Sequence, residues 1–127
     1  MIFEHFALNV PDAKEWAAWY TKNCGMKVLR SMAVPPYTHF LADSTSRVVV
    51  EVYSNPEDPI PDYSNLHPLR FHFAFAVNDP NTIKEKLIQA GASFVKEDRP
   101  EEGSLLIMLR DPWGIPLQLC SRKNPMI

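Results

Sequence analysis

Residues 70–79 read RFHFAFAVND, and their alternation decides the fold. Phe71, Phe73, Phe75 and Val77 share one face of an extended chain, and Arg70, His72, Ala74 and Ala76 share the other. Such period-two patterning marks a half-buried β-strand. The same pattern stands near the N-terminus, where residues 3–12 read FEHFALNVPD. There Phe6, Leu8 and Val10 oppose His5, Ala7 and Asn9. His5 and His72 are 67 residues apart (72 − 5), as are Val10 and Val77 (77 − 10) and Asp12 and Asp79 (79 − 12). The chain is one unit written twice.

The segment after each first strand repeats as well. Asp12 and Asp79 are N-cap residues for helices expected over 13–23 and about 80–90, closed by Gly25 and Gly91. Trp16, Trp19 and Tyr20 at i, i+3, i+4 form the stripe a helix packs on a sheet. Three strand-like runs then occur in each half: about 27–33, 37–42 and 47–53, and about 93–96, 104–110 and 115–121. Pro35-Pro36, Asp43-Ser44, Gly103 and Asp111-Pro112-Trp113-Gly114 supply turns. The polar, proline-rich stretch 54–68 reads as a linker of extended character. The expected fold is α+β, a single domain over 1–127 made of two βαβββ modules, about 1–53 and 69–122, related by a pseudo-twofold. Two copies exclude a solenoid. The short side chains of Ala7, Ala74 and Ala76 suggest a curved mixed sheet around a cup.

A second pair keeps the same offset. Glu51 and Gln118 are 67 residues apart (118 − 51), each in the last strand-like run of its half. Glu51 is out of phase with Val48, Val50 and Val52, and Gln118 with Leu117 and Leu119. A one-residue slip would send any of these side chains to the other face, so the agreement in phase is informative. A carboxylate amid valines is costly to bury unless paired or metal-bound. Two imidazoles, one carboxylate and one amide oxygen suit Zn, Ni, Co, Mn or Fe as divalent ions. Four protein donors leave open positions, as a catalytic site does. His39 and His67 fall outside the repeat and read as surface or rim residues.

Composition bounds the rest. A chain of 127 residues can bury a core without disulfides. Its net charge of −2, with Lys and Arg scattered, gives no nucleic-acid or membrane-surface signature. Cys24 and Cys120 have no metal-knuckle spacing and read as small buried hydrophobes of a reducing compartment. No run approaches the ~20 apolar residues of a membrane span, and no signal peptide is visible. Cytoplasmic location is the expectation.

In the segments FEHFALNV, VVVEVYSN, RFHFAFAVND and RDPWGIPLQL the chain resembles the vicinal oxygen chelate superfamily, and within it glyoxalase I. TKNCGMKVLR after the first helix adds to that likeness. The resemblance covers essentially the whole chain. It implies a divalent metal at His5, Glu51, His72 and Gln118, chelating neighbouring oxygens of a small-molecule substrate. It also implies a homodimer in which modules of two chains can share a site. Bacterial glyoxalase I carries Glu at the last ligand position, where this chain has Gln118. An amide accepts no proton near neutral pH, so Glu51 becomes the candidate base. Isomerase or lyase chemistry is the expectation. A ring-cleaving iron dioxygenase and a non-enzymatic drug-binding cup are the alternatives. Arg70, two residues from His72, is a candidate for holding an anionic group of the substrate.

Overall fold

The computed structural model describes residues 1–126. Ile127 and the Val48 side chain, expected on the apolar face of its strand, lie outside the described residues. The element order is β1 (Phe6–Asn9), α1 (Ala13–Cys24), β2 (Lys27–Ser31), β3 (His39–Ala42), β4 (Val48–Tyr53), β5 (Phe73–Ala76), α2 (Pro80–Gln89), β6 (Ser93–Asp98), β7 (Leu105–Arg110) and β8 (Pro116–Ser121). This is βαβββ twice, in two compact units, Met1–Pro61 and Asp62 onward.

In the first unit the sheet order is β1-β4-β3-β2, with β1 parallel to β4 and the other pairs antiparallel. Asp12 Oδ1 accepts the Glu15 amide at 2.9 Å and opens α1, and Gly25 closes it in the left-handed region at φ 70°. The helix packs on β3 and β4. Trp16 and Tyr20 are buried and stacked, with ring centroids 3.9 Å apart, against a core that includes Leu8, Val10, Leu41, Val50 and Val52.

The second unit repeats the topology as β5-β8-β7-β6. Ala7 pairs with Glu51, and Ala74 with Gln118, so the 67-residue offset holds across the parallel ladder of both sheets. Both edge ladders also carry an irregularity at matching places, between Val28 and Arg30 and between Phe94 and Lys96. Helix α2 packs on β7 and β8, burying Leu87 against a core with Ile107, Leu109, Leu117 and Leu119.

The segment 54–68 is not a free extended linker. Its first part is tied to the first unit: Asn9 Nδ2 donates to the Asn55 and Asp58 carbonyls, and Asn9 Oδ1 accepts the Asn55 amide. Its second part belongs to the other unit. Arg110 Nη1 donates to the Tyr63 carbonyl at 2.7 Å and the Gly114 carbonyl at 2.9 Å, and Nη2 donates to the Leu66 carbonyl at 2.8 Å. One guanidinium thus serves three turn carbonyls, of which that of Tyr63 also accepts the Leu66 amide.

Candidate functional site

His5 is the residue immediately before β1, and Glu51 lies mid-way along β4. The register places Glu51 between Ala7 on β1 and Phe40 on β3. Their faces coincide, and His5 Nε2 lies 3.2 Å from Glu51 Oε2. Two donors each about 2.1 Å from one ion sit roughly 3.0–3.4 Å apart, so the pair has the spacing of two ligands of one metal. The Phe40 ring stands edge-on to the imidazole at 5.5 Å and limits its rotation. On the other side of the ring, Nδ1 is buried and has no aligned hydrogen-bond partner, yet Glu4 Oε2 is only 2.7 Å away. Glu4 itself is largely exposed. A carboxylate behind a ligating imidazole is a common way to orient it.

In the second unit His72 stands immediately before β5, the counterpart of His5. His72 Nδ1 is 2.7 Å from the Pro68 carbonyl oxygen. A carbonyl only accepts, so Nδ1 carries the proton and Nε2 presents its lone pair. This is the tautomer a metal ligand needs. Gln118 is flanked by Ala74 on β5 and Met108 on β7, and its Oε1 accepts the Cys120 thiol at 3.2 Å. Burial pushes the Cys120 thiol up from its ordinary pKa, against a smaller opposite pull from the Arg122 guanidinium within hydrogen-bonding reach. Cys120 is therefore a neutral donor that fixes the amide.

Among the described residues no group of three or more His, Cys, Asp or Glu side chains is placed to hold a metal ion. His5 and Glu51 are brought together as a pair; in the other unit Gln118 pairs with Ala74, and His72 stands one residue ahead of that ladder. The alternation predicts both histidines inside strands, and both lie one residue ahead of them. The strand-like run at 70–77 is shorter than its alternation suggests because Pro68–Arg70 form a turn, closed by the Arg70 amide to the His67 carbonyl at 2.8 Å. Arg70 accordingly sits exposed in that turn rather than on the strand face. His39 opens β3, with Nδ1 2.7 Å from the Tyr37 carbonyl oxygen, and His67 Nδ1 accepts the Leu69 amide. The sequence reading missed Glu4, Phe40 and the polar role of Cys120. Cys120 was legible, since it lies two residues from Gln118 and hence on the same face.

Residues 2–119 match the Glyoxalase/Bleomycin resistance protein/Dioxygenase superfamily. The chain belongs to this family. Lactoylglutathione lyase from Salmonella typhimurium is 28% identical over 94% of this chain and 92% of its own, and that from Escherichia coli O157:H7 is 29% identical over the same shares. Among solved structures, an E144Q glyoxalase I mutant from Zea mays superposes with a TM-score of 0.71 at 27% identity. That match covers 94% of this chain and 45% of the maize one. The two βαβββ modules are thus those of the glyoxalase fold. No described helix is long and apolar enough to cross a membrane.

Proposed function

We propose that this member of the family is a metal-dependent enzyme of the isomerase or lyase type, acting on a small oxygenated substrate. The observation that carries the reading is the His5–Glu51 pair at ligand spacing, with Gln118 at the matching register of the repeat. The relatives named lactoylglutathione lyase support the reaction class. In this reading His5 and Glu51 from one module, and His72 and Gln118 from the other, supply the donors of one divalent ion, Zn, Ni, Co, Mn or Fe. The chain acts in the cytoplasm as a homodimer, and the two modules at one site come from one chain or from two.

A divalent ion there supplies charge that stabilises oxygens turning negative during reaction. The rest is the work of this chain's side chains. His5 and His72 would each offer a ring nitrogen to the ion, with Phe40 and the Pro68 carbonyl restricting their rings. Glu51 carries the one ligand carboxylate and so takes the substrate proton on a carboxylate oxygen. Gln118 keeps its place through the Cys120 thiol and exchanges no proton. One carboxylate against a +2 ion leaves the ligand sphere positive, which favours an anionic chelating substrate.

Metal analysis of protein purified without chelator tests the reading. Bound divalent metal that is lost in His5→Ala and His72→Ala alike is expected. Wild-type protein that takes up none of the five ions at micromolar concentration would falsify it.

A further inference from the structure

Beside Gln118 the second unit has a cavity of about 370 Å³ that the roles assigned above leave unused. Its floor is Ala74, Ala76 and Cys120, and Asn78, Arg122 and Pro125 stand around it. The register explains why it exists. Ala74 pairs with Gln118 and Ala76 with Cys120, so two methyl groups occupy the strand beside the amide and the thiol. Gln118, Cys120 and Arg122 succeed one another at intervals of two, on one face of β8 and its continuation. The cavity therefore runs along the sheet from Ala74, the register partner of Gln118, toward Arg122; Gln118 itself is not in its lining. At the strand rise, the backbone positions of Gln118 and Arg122 are roughly 13 Å apart. Its size falls at the lower end of small-ligand pockets.

Arg122 is the one cation in the lining, and no carboxylate among the described residues pairs with it. A half-buried guanidinium facing a cavity without a counterion is a ready partner for a planar anion, which it grips through two parallel N–H donors. A single positive charge matches a singly charged carboxylate. The alanine floor and Pro125 favour an apolar spacer between that carboxylate and the reacting end.

We infer that this cavity is a substrate subsite in which Arg122, with Asn78 beside it, binds a carboxylate at the far end of a substrate whose oxygenated end reacts near Gln118. The inference rests on the metal-site reading above for the position of the reacting end. Arg70, expected from the sequence to hold an anionic group, lies exposed in a turn and does not line this cavity, so for its charge the subsite rests on Arg122 alone.

The test uses 2-oxo dicarboxylates from 2-oxoglutarate upward, each against the monoacid that ends in a methyl group. Calorimetry is run on the whole protein, with Co²⁺ and without metal. In wild type the best diacid is expected to bind about tenfold more tightly than its monoacid. Arg122→Met should erase that preference and leave monoacid affinity unchanged, while Arg122→Lys should keep part of it. Absence of diacid preference in wild type, in both forms, overturns the subsite. So does a preference that survives in Arg122→Met. Co²⁺ alone failing to bind counts against the metal reading instead. A diacid preference that persists without metal and vanishes in Arg122→Met then still upholds the subsite.

Discussion

The two modules are built alike and equipped differently. At matching register one presents Glu51 and the other Gln118, each beside an alanine of the parallel strand. In the first module the acid is in contact with its histidine, Nε2 to Oε2 at 3.2 Å. In the second, the histidine is turned by a backbone carbonyl and the amide by a thiol. On the other side Phe40 stands beside Glu51 and Met108 beside Gln118, and in the second module a cavity runs past Ala74 and Ala76. Duplication thus keeps the backbone while the side chains diverge. In the proposed reading one copy supplies charge and proton transfer, and the other supplies neutral ligation and room for substrate.

The largest effect should come from exchanging the two side chains. Glu51→Gln removes the carboxylate, and turnover is expected to fall by about a thousandfold, within the range a general base contributes. Metal affinity should fall with it. Gln118→Glu restores an acid at the other position, should retain metal, and should raise isomerisation of hemithioacetals. Paired rates with metal content measured in each variant decide the matter. If Glu51→Gln keeps both its metal and its rate, the division of labour between the modules is wrong.

That division was legible in the sequence only in part. The offset of 67 and the phase of the strands pointed to both candidate pairs, because alternation reports which face a side chain takes. The pairing Ala7–Glu51 and Ala74–Gln118 confirms that phase. Strand ends were not legible. Phe71 and Phe73 alternate in the same way, yet the turn at Pro68–Arg70 ends the ladder at Phe73. Nor could spacing reveal what orients a side chain: Glu4 beside His5 and Pro68 behind His72 are matters of rotamer and turn. The stretch 54–68 misled for a related reason. Its prolines suggest an extended linker, but its turns are held by Asn9 and Arg110, which are distant in sequence.

Backbone constraints sharpen the contrast. Gly25 and Gly114 both have positive φ, at 70° and 83°. A Cβ on Gly25 meets nothing within 4 Å, whereas on Gly114 it would lie 2.9 Å from the Ser64 backbone and closer still to its hydroxyl. Gly114→Ala is expected to cost about 3 kcal/mol, from strain plus the displaced turn. Gly25→Ala should cost about 1 kcal/mol, from strain alone. Urea unfolding of both separates the terms, and equal losses would show that the turn at Ser64 yields freely. Arg110→Met falls between them, at about 2 kcal/mol, because it removes the guanidinium bonds to three turn carbonyls, of which that of Tyr63 keeps the Leu66 amide.

The smallest effect concerns the helix caps, and it too separates the modules. Asp12 accepts the Glu15 amide, and Asp79 accepts the Thr82 amide. Thr82 stands 67 residues after Glu15 (82 − 15), and in the second module its hydroxyl joins the capping acid, with Thr82 Oγ1 donating to Asp79 Oδ2 at 2.6 Å. That hydroxyl bond first, and the amide bonds after it, lower the Asp79 pKa from its ordinary 3.8. By linkage, a carboxylate with a lowered folded pKa adds stability in full above its unfolded pKa. The contribution is lost as pH falls from about 3.8 through the lowered folded value. Wild type should therefore exceed Asp79→Asn in stability at neutral pH, and the gap should close on acidification below that value. Thr82→Val should raise the Asp79 pKa while leaving the amide bond in place. Carboxyl titration by NMR reads this directly, and an Asp79 pKa that does not move in Thr82→Val would show that the two caps are equivalent after all.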